Sequence, residues 1–328
     1  MTSPALTLGS ALLAFSPSLS LLLLFVSPKP QLLILAICSA FAYLISALLS
    51  SALWWLFSLI PGSDDGWGAL LTLVLPSVLC QCIVRCGFVK MYFRVEDVIR
   101  RSVAKHEAET AAESHDHRGD HAETNALQLQ LNDLACALAS GAGYAFLHSL
   151  FLYGTLLASE SGEQYTSGGG TAREGTLYQA SCTALPSLIN GALISGMFSI
   201  LDVIWMCSVF YGMRRRSIYS TQHNGTMSKS IIEGMMFWNG LPDSSKGGNA
   251  ALGLVVVSHL AASLALAPNA TAEGCRISLP LLGAIVILVG VLFVRGVGGH
   301  YLPQDQRRRI GGMRGDDGGG GRIEHHVD

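Results

Sequence analysis

The sequence predicts an all-α polytopic membrane protein, a bundle of seven transmembrane helices with its N-terminus outside or lumenal and its C-terminus cytoplasmic. Three observations lead there. Charged residues make up only 13% of the chain against 50% apolar, where an ordinary soluble domain carries about 25% charge. The charges gather at 90–118, 214–216 and 307–322, leaving stretches of the ~20 mainly apolar residues that a helix needs to cross a hydrocarbon core. Lys and Arg, which mark the cytoplasmic side of a membrane protein, fall in alternate connections between those stretches.

The first span, 5–26, is preceded by no Lys or Arg and followed by Lys29, so it enters from the outside. Its uncharged start also argues against a cleaved signal peptide, which carries a basic leading region. The second span, 32–60, and the fifth, 185–211, are longer than a bilayer requires and are expected to tilt or protrude. The third, 67–88, delivers the chain to the basic group at 90–118, and the fifth delivers it to Arg214, Arg215 and Arg216. The fourth, 134–158, and the sixth, 250–267, return outward, where only Arg173 and Arg276 remain, and the seventh, 277–294, ends before the arginines of the tail.

Residues 1–296 are therefore read as the transmembrane domain and 297–328 as a flexible, glycine-rich cytoplasmic tail. Within the domain, 101–127 reads as a disordered cytoplasmic loop, polar and poor in aromatics. Segment 159–180 reads as an outer loop and 213–248 as a long cytoplasmic connection. The loop histidines, His106, His115, His117 and His121, come without cysteines or a helical pairing, so no metal is expected there. A net charge of −2 gives no reason to expect a nucleic-acid partner. Two glycosylation sequons occur; Asn224 falls on the cytoplasmic side, whereas Asn269 falls outside and is the candidate acceptor. Cys38, Cys80, Cys82, Cys86, Cys136 and Cys207 lie in or at the ends of apolar segments and read as small hydrophobes. Cys182 and Cys275 fall near the outer face, in an oxidising compartment, and are the candidates for a disulfide.

The polar residues at membrane depth carry the functional question. In "SGAGYAFLHS", Gly141, Ala145 and Ser149 stand four residues apart, with Gly143 alongside. Such residues share one helix face, and small faces let helices associate closely in lipid, so this stripe is expected to dock a partner helix. Gln81, Arg85, His148, Asp202 and His259 are ionisable or polar groups inside spans, where they are costly and usually paired. Asp202 and His259 belong to spans that can be neighbours and are expected to pair, as glue between helices or as a relay.

Several enzymes are poorly supported. An aspartyl protease needs two carboxylates sharing a proton, and Asp202 has no such partner within a span; a serine protease needs a nucleophile on a structured turn with a histidine base, and no Gly-x-Ser-Gly opens a helix. Two alternatives stay open on His148, Asp202 and His259, a metal-dependent intramembrane hydrolase and a proton-coupled transporter.

At these residues the chain resembles the anterior pharynx defective (Aph) family, the seven-span scaffold subunit of γ-secretase. "SGAGYAFLHS" is similar to the family's fourth-span motif of three glycines four residues apart, with Gly141 on the first and Ala145 and Ser149 in place of the others. "LGSALLAFSP" resembles the first span, "LISALLSSALWW" the second, and Gln81 with Arg85 and Lys90 the end of the third. "LDVIWMCSVFYG" resembles the fifth and "VVVSHLAASLA" the sixth, where His259 falls on a family histidine and Asp202 replaces another. In the family those two histidines are implicated in assembly and activity. The resemblance implies a non-catalytic subunit without cofactor or metal, in complex with presenilin, nicastrin and the presenilin enhancer subunit. It implies multi-pass residence in endoplasmic reticulum, Golgi and plasma or endosomal membranes, and intramembrane cleavage of type I membrane proteins by the complex.

Overall fold

A computed structural model describes residues 4–58, 67–111, 121–162, 185–220, 245–270 and 274–296. Seven helices among them are long and apolar enough to cross a membrane. They are α1 (Pro4–Leu21), α2 (Pro30–Ser58), α3 (Trp67–Ala111), α4 (His121–Gly162), α5 (Ser187–Ser220), α6 (Ser245–Leu264) and α7 (Cys275–Gly296). No strand occurs among the described residues. Helix is the only form an open chain can take in lipid, because each backbone group finds its partner within the segment.

The helices outrun the apolar stretches. Segment 101–127 was expected to be a disordered loop, but α3 continues to Ala111 and α4 already begins at His121. The local chemistry explains this. The end of α3 holds Arg, Lys, Glu and Ala without Gly or Pro, which are good helix formers, and Arg101 pairs with Asp97 one turn earlier. Likewise α5 runs past the membrane to Ser220, so the connection expected at 213–248 is helical at its start and again from Ser245.

The fold is organised around α5, the most buried of the spans, which touches α1, α3, α4, α6 and α7. Its inner face carries Phe198, Leu201, Trp205, Met206 and Phe210 into the main apolar core. At the other extreme, α7 is the least buried and shows Ile287, Leu288 and Val294 to its surroundings. In a membrane such faces meet lipid or neighbouring helices, and they need no core of their own.

Close backbone contacts set the spacing within the bundle. A Cβ added to Gly143 of α4 would overlap the backbone carbonyl of Ala36 in α2, and beside it Ser39 Oγ donates to the Ser140 carbonyl at 2.6 Å. On α1, Pro17 has no N–H for the Leu13 carbonyl. Gly196 of α5 comes in at that point, where an added Cβ would lie 3.2 Å from the Leu13 oxygen. The end of α1 loosens into a π-helical turn, Leu22–Val26, closed by Ser27 N donating to the Leu22 carbonyl at 2.8 Å. Between α5 and α6 the approach is reciprocal, since a Cβ on Gly212 would sit 2.8 Å from the Gly248 oxygen and one on Gly248 2.7 Å from the Gly212 oxygen.

These contacts sort the glycines by consequence. Replacing an open helical Gly by Ala gains up to about 1 kcal/mol of helix propensity, whereas overpacking a tight contact costs about 1–3 kcal/mol or more. Gly87→Ala, with nothing within 4 Å of the added atom, should leave the thermal unfolding midpoint in detergent unchanged or higher. Gly143→Ala should lower it, because the obstacle is a carbonyl and not a movable side chain. Equal midpoints for the two variants would refute the α2–α4 contact.

Candidate functional site

Arg85 stands one turn beyond Gln81 on α3 and is fully buried. A guanidinium does not deprotonate in proteins, so its charge has to be met inside the bundle. Asp202 of α5, also fully buried, accepts a hydrogen bond from Arg85 Nη2 through Oδ1. Its other oxygen, Oδ2, lies 2.7 Å from Nδ1 of His148 on α4. A carboxylate only accepts, so Nδ1 of His148 carries the proton in this contact. One carboxylate thus joins three helices.

Aromatic rings complete the enclosure. The Arg85 guanidinium carbon lies 4.2 Å from the centroid of Tyr144 and 5.0 Å from that of Trp205, distances at which a ring face attracts a cation. Nε and Nη1 of Arg85 have no hydrogen-bond partner among the described residues, so these faces are their main compensation. From α2, Ser46 Oγ sits 3.2 Å from the Tyr144 hydroxyl, and Tyr43 stacks on His148 at 5.1 Å. Helix α2 therefore supports the cation and the imidazole from behind.

His259 occupies a second position. It stacks on Trp205 at 4.2 Å and 25°, and its Nδ1 is 3.9 Å from Sγ of Cys82 on α3. Trp205 is fastened in turn by Nε1 donating to Ser258 Oγ at 2.8 Å. The expected Asp202–His259 pair is therefore corrected: Asp202 is held by Arg85 and His148, and His259 by Trp205 and Cys82. The reason is rotational phase. Asp202 and Trp205 are three residues apart, so their side chains leave α5 about 60° apart, one toward α3 and α4 and the other toward α6. Nor do His148, Asp202 and His259 form a ligand set, as no group of three His, Cys, Asp or Glu able to hold a metal occurs among the described residues.

The small-residue stripe is also reassigned. Gly141, Gly143, Ala145 and Ser149 are all buried within the chain's own bundle. A Cβ on Gly141 would lie 2.9 Å from Val203 Cα of α5, and Gly143 faces α2. The stripe lets helices approach closely, but the helices are α5 and α2 of the same chain, and the tightest contact belongs to Gly143, off the four-residue repeat.

The remaining candidates are dispersed. Gln81 is buried with Oε1 unpartnered among the described residues. Asn269 is 4% exposed and its Oδ1 accepts from Ser278 Oγ at 2.5 Å, so its side chain ties a 3-10 turn, Ala267–Ala270, to α7. Gly274 is pressed against the Pro268 carbonyl at the same corner. Cys275 is disulfide-bonded, while Cys182 lies outside the described residues.

One polar cluster was missed by sequence reasoning. At the far end of the same three helices, Arg214 of α5 donates to Asp133 of α4 at 2.6 and 2.7 Å and to Glu96 of α3 at 2.5 Å. Its guanidinium also lies 4.0 Å from the Phe93 ring. The signal was present as an unexplained acid, Asp133, at the head of an apolar span.

Comparison with known proteins agrees with this architecture. The family described as "Aph-1 protein" matches residues 5–300. A curated relative from Arabidopsis thaliana, "Gamma-secretase subunit APH1-like", is 27% identical over 281 residues, which cover 86% of this chain and 88% of that protein.

The reassigned pairing is open to measurement. Removing one partner of a buried ion pair costs about 3–5 kcal/mol, so Asp202→Ala should destabilise by that order in reversible unfolding in mixed micelles. A double-mutant cycle between His148 and Asp202 should give a coupling above about 0.5 kcal/mol, and one between His259 and Asp202, which are linked only through Arg85 and Trp205, should give a smaller one. The reverse pattern would restore the Asp202–His259 pair.

Proposed function

The chain belongs to the Aph-1 protein family, and from that premise we propose that it is the non-catalytic scaffold subunit of a γ-secretase. In this reading it holds presenilin, nicastrin and the presenilin enhancer subunit together for intramembrane cleavage of type I membrane proteins, in membranes of the endoplasmic reticulum, Golgi and cell surface or endosomes. The observation that carries it is the use made of Asp202. Both of its oxygens are committed, one to a permanent cation and one to an imidazole. That arrangement supports holding helices together and gives no support to a proton-sharing carboxylate dyad at this position.

The two alternative readings lose their footing for the same reason. A metal-dependent hydrolase on His148, Asp202 and His259 would need the three to converge, and among the described residues they make no such group. A relay between Asp202 and His259 would need a carboxylate free to exchange protons with that imidazole, but Asp202 faces Arg85 and His148.

The disulfide at Cys275 supports the proposed topology. Disulfides persist in oxidising compartments, which favours an outer or lumenal position for the start of α7. With the seven spans found among the described residues, this reading puts the N-terminus outside and the end of α7 toward the cytoplasm.

Extraction of the tagged protein from its native membranes in mild detergent, followed by mass spectrometry, tests the proposal. Presenilin, nicastrin and the presenilin enhancer subunit should be recovered in near-equal amounts, and Asp202→Ala should lower that recovery several-fold. Recovery of the chain alone, from membranes that contain those partners, would overturn it.

A further inference from the structure

At the level of the Arg214 clamp, α3 presents two unlike faces. On the inner face Tyr92 donates to Cys136 Sγ of α4 at 3.2 Å, Phe93 meets Phe210 of α5 edge-on, and Glu96 accepts from Arg214. On the outer face Met91, Val95, Val98 and Ile99 are 55%, 52%, 66% and 57% exposed. Their spacing, i, i+4, i+7 and i+8, makes one apolar stripe along the helix. Lipid tails are a poor account of what covers it. Asp97 and Arg101, with side chains 51% and 79% exposed, pair on the same turns, and charges so exposed belong in headgroups or water and not in hydrocarbon.

The chain itself carries a complement. Residues 221–244 join α5 to α6 and lie outside the described residues, and within them stands an apolar run, "IIEGMMFW", Ile231 to Trp238. The other undescribed stretches at this end of the bundle, 112–120 and 297–328, hold no comparable run. Position favours the pairing. Helices α3 and α5 run in the same direction and are joined at Glu96 and Arg214, so the connection leaves from Ser220 about 9 Å beyond that pair and returns to α6, which packs on α3. The run is tethered through 221–230 and 239–244, which reach about 33 and about 20 Å when extended. Passing from the inner to the outer face of a helix takes about 15–20 Å, half its circumference. Charge agrees as well, since the run carries one acid, Glu233, and the stripe is flanked by Arg94, exposed and in no ion pair among the described residues.

We propose that the run Ile231–Trp238 docks on the outer stripe of α3, with Met91, Val95, Val98 and Ile99 as its seat. The contact removes from water apolar surface on both partners. It folds the α5–α6 connection back on the bundle and adds an intramolecular fastening on the face of α3 opposite the Arg214 clamp. The docking requires only that the stripe and the connection lie at the same end of the bundle, as Glu96 and Arg214 do. It depends neither on the subunit reading nor on which side of the membrane that end faces.

The test places the photocrosslinking residue p-benzoylphenylalanine at Val95 of the full chain, held with the subunits it retains in phosphatidylcholine nanodiscs, and maps the adducts by digestion and mass spectrometry. Adducts from position 95 should fall in peptides that contain 231–238. The same probe at Ile83, 68% exposed in mid-span, should give lipid adducts and none to the run. Phe237→Ser/Trp238→Ser should lower the position-95 adduct several-fold and leave the position-83 pattern unchanged. Where the Val95 protein elutes as aggregate, the probe at Val98 takes its place. A monodisperse protein whose outer-stripe probe yields lipid adducts alone, adducts to a co-purifying subunit alone, or none would overturn the docking, as would an adduct undiminished in the double Ser variant. Recovery of the subunits from the same preparation reports separately on the subunit reading.

Discussion

Arg85 cannot give up its charge, and the bundle is arranged around that fact. An arginine at the centre of a spanning helix costs about 2.5–3.5 kcal/mol on insertion scales, and no water in the hydrocarbon is available to lower the cost. The chain answers with one carboxylate and two aromatic faces, drawn from α5 and α4. Asp202 can serve only if α5 is turned so that position 202 meets α3, and that rotation fixes where every other residue of α5 points. Trp205 is thereby directed to α6, where it meets Ser258 and His259, and Val203 is directed to Gly141 of α4.

Small residues are what make the rotation feasible. An ion pair across helices demands a set distance between backbones, and a bulky side chain in the seam would hold them apart. Gly141 lets α4 close on α5, Gly143 lets it close on α2, and Gly212 with Gly248 brings α6 to α5. The polar centre and the glycine contacts therefore belong to one design, in which steric permission at one level of a helix allows electrostatic pairing at another. Van der Waals packing and hydrogen bonds carry association in lipid, so neither can be weakened without loading the other.

The spans were legible because hydropathy over ~20 residues is a strong signal, and Arg85, His148, Asp202 and His259 stood out as polar groups at membrane depth. Their partners were not legible, because span order says which helices exist and leaves their rotation open. Charge neutrality would have done better than proximity. Arg85 and Asp202 are full opposite charges, and Asp202 meets Arg85 and His148 while His259 goes elsewhere. Gly141 and Gly143 of the small stripe on α4 lie in close approaches, but a pattern on one helix does not name its neighbour. The end of α3 ran beyond its apolar stretch because "RRSVAKHEAETA", although polar, is rich in helix formers.

The two polar clusters are also placed so that stiffness is graded across the bundle. The Arg85 centre and the Arg214 clamp both join α3, α4 and α5, one in mid-span and one at the membrane edge. Two fastenings at different depths oppose both sliding and splaying of the three helices, which a single fastening would not. Helix α6 is joined to this frame by the Trp205–Ser258 hydrogen bond, the His259 stack and its glycine contact. Helix α7, the least buried span, is held at its start by Ser278 to Asn269 and along its length by apolar packing. A frame fixed at its centre can present peripheral helices whose outer faces are still free to adapt to their surroundings. Asp202, fully buried, therefore acts on the bundle through the orientation it gives α5.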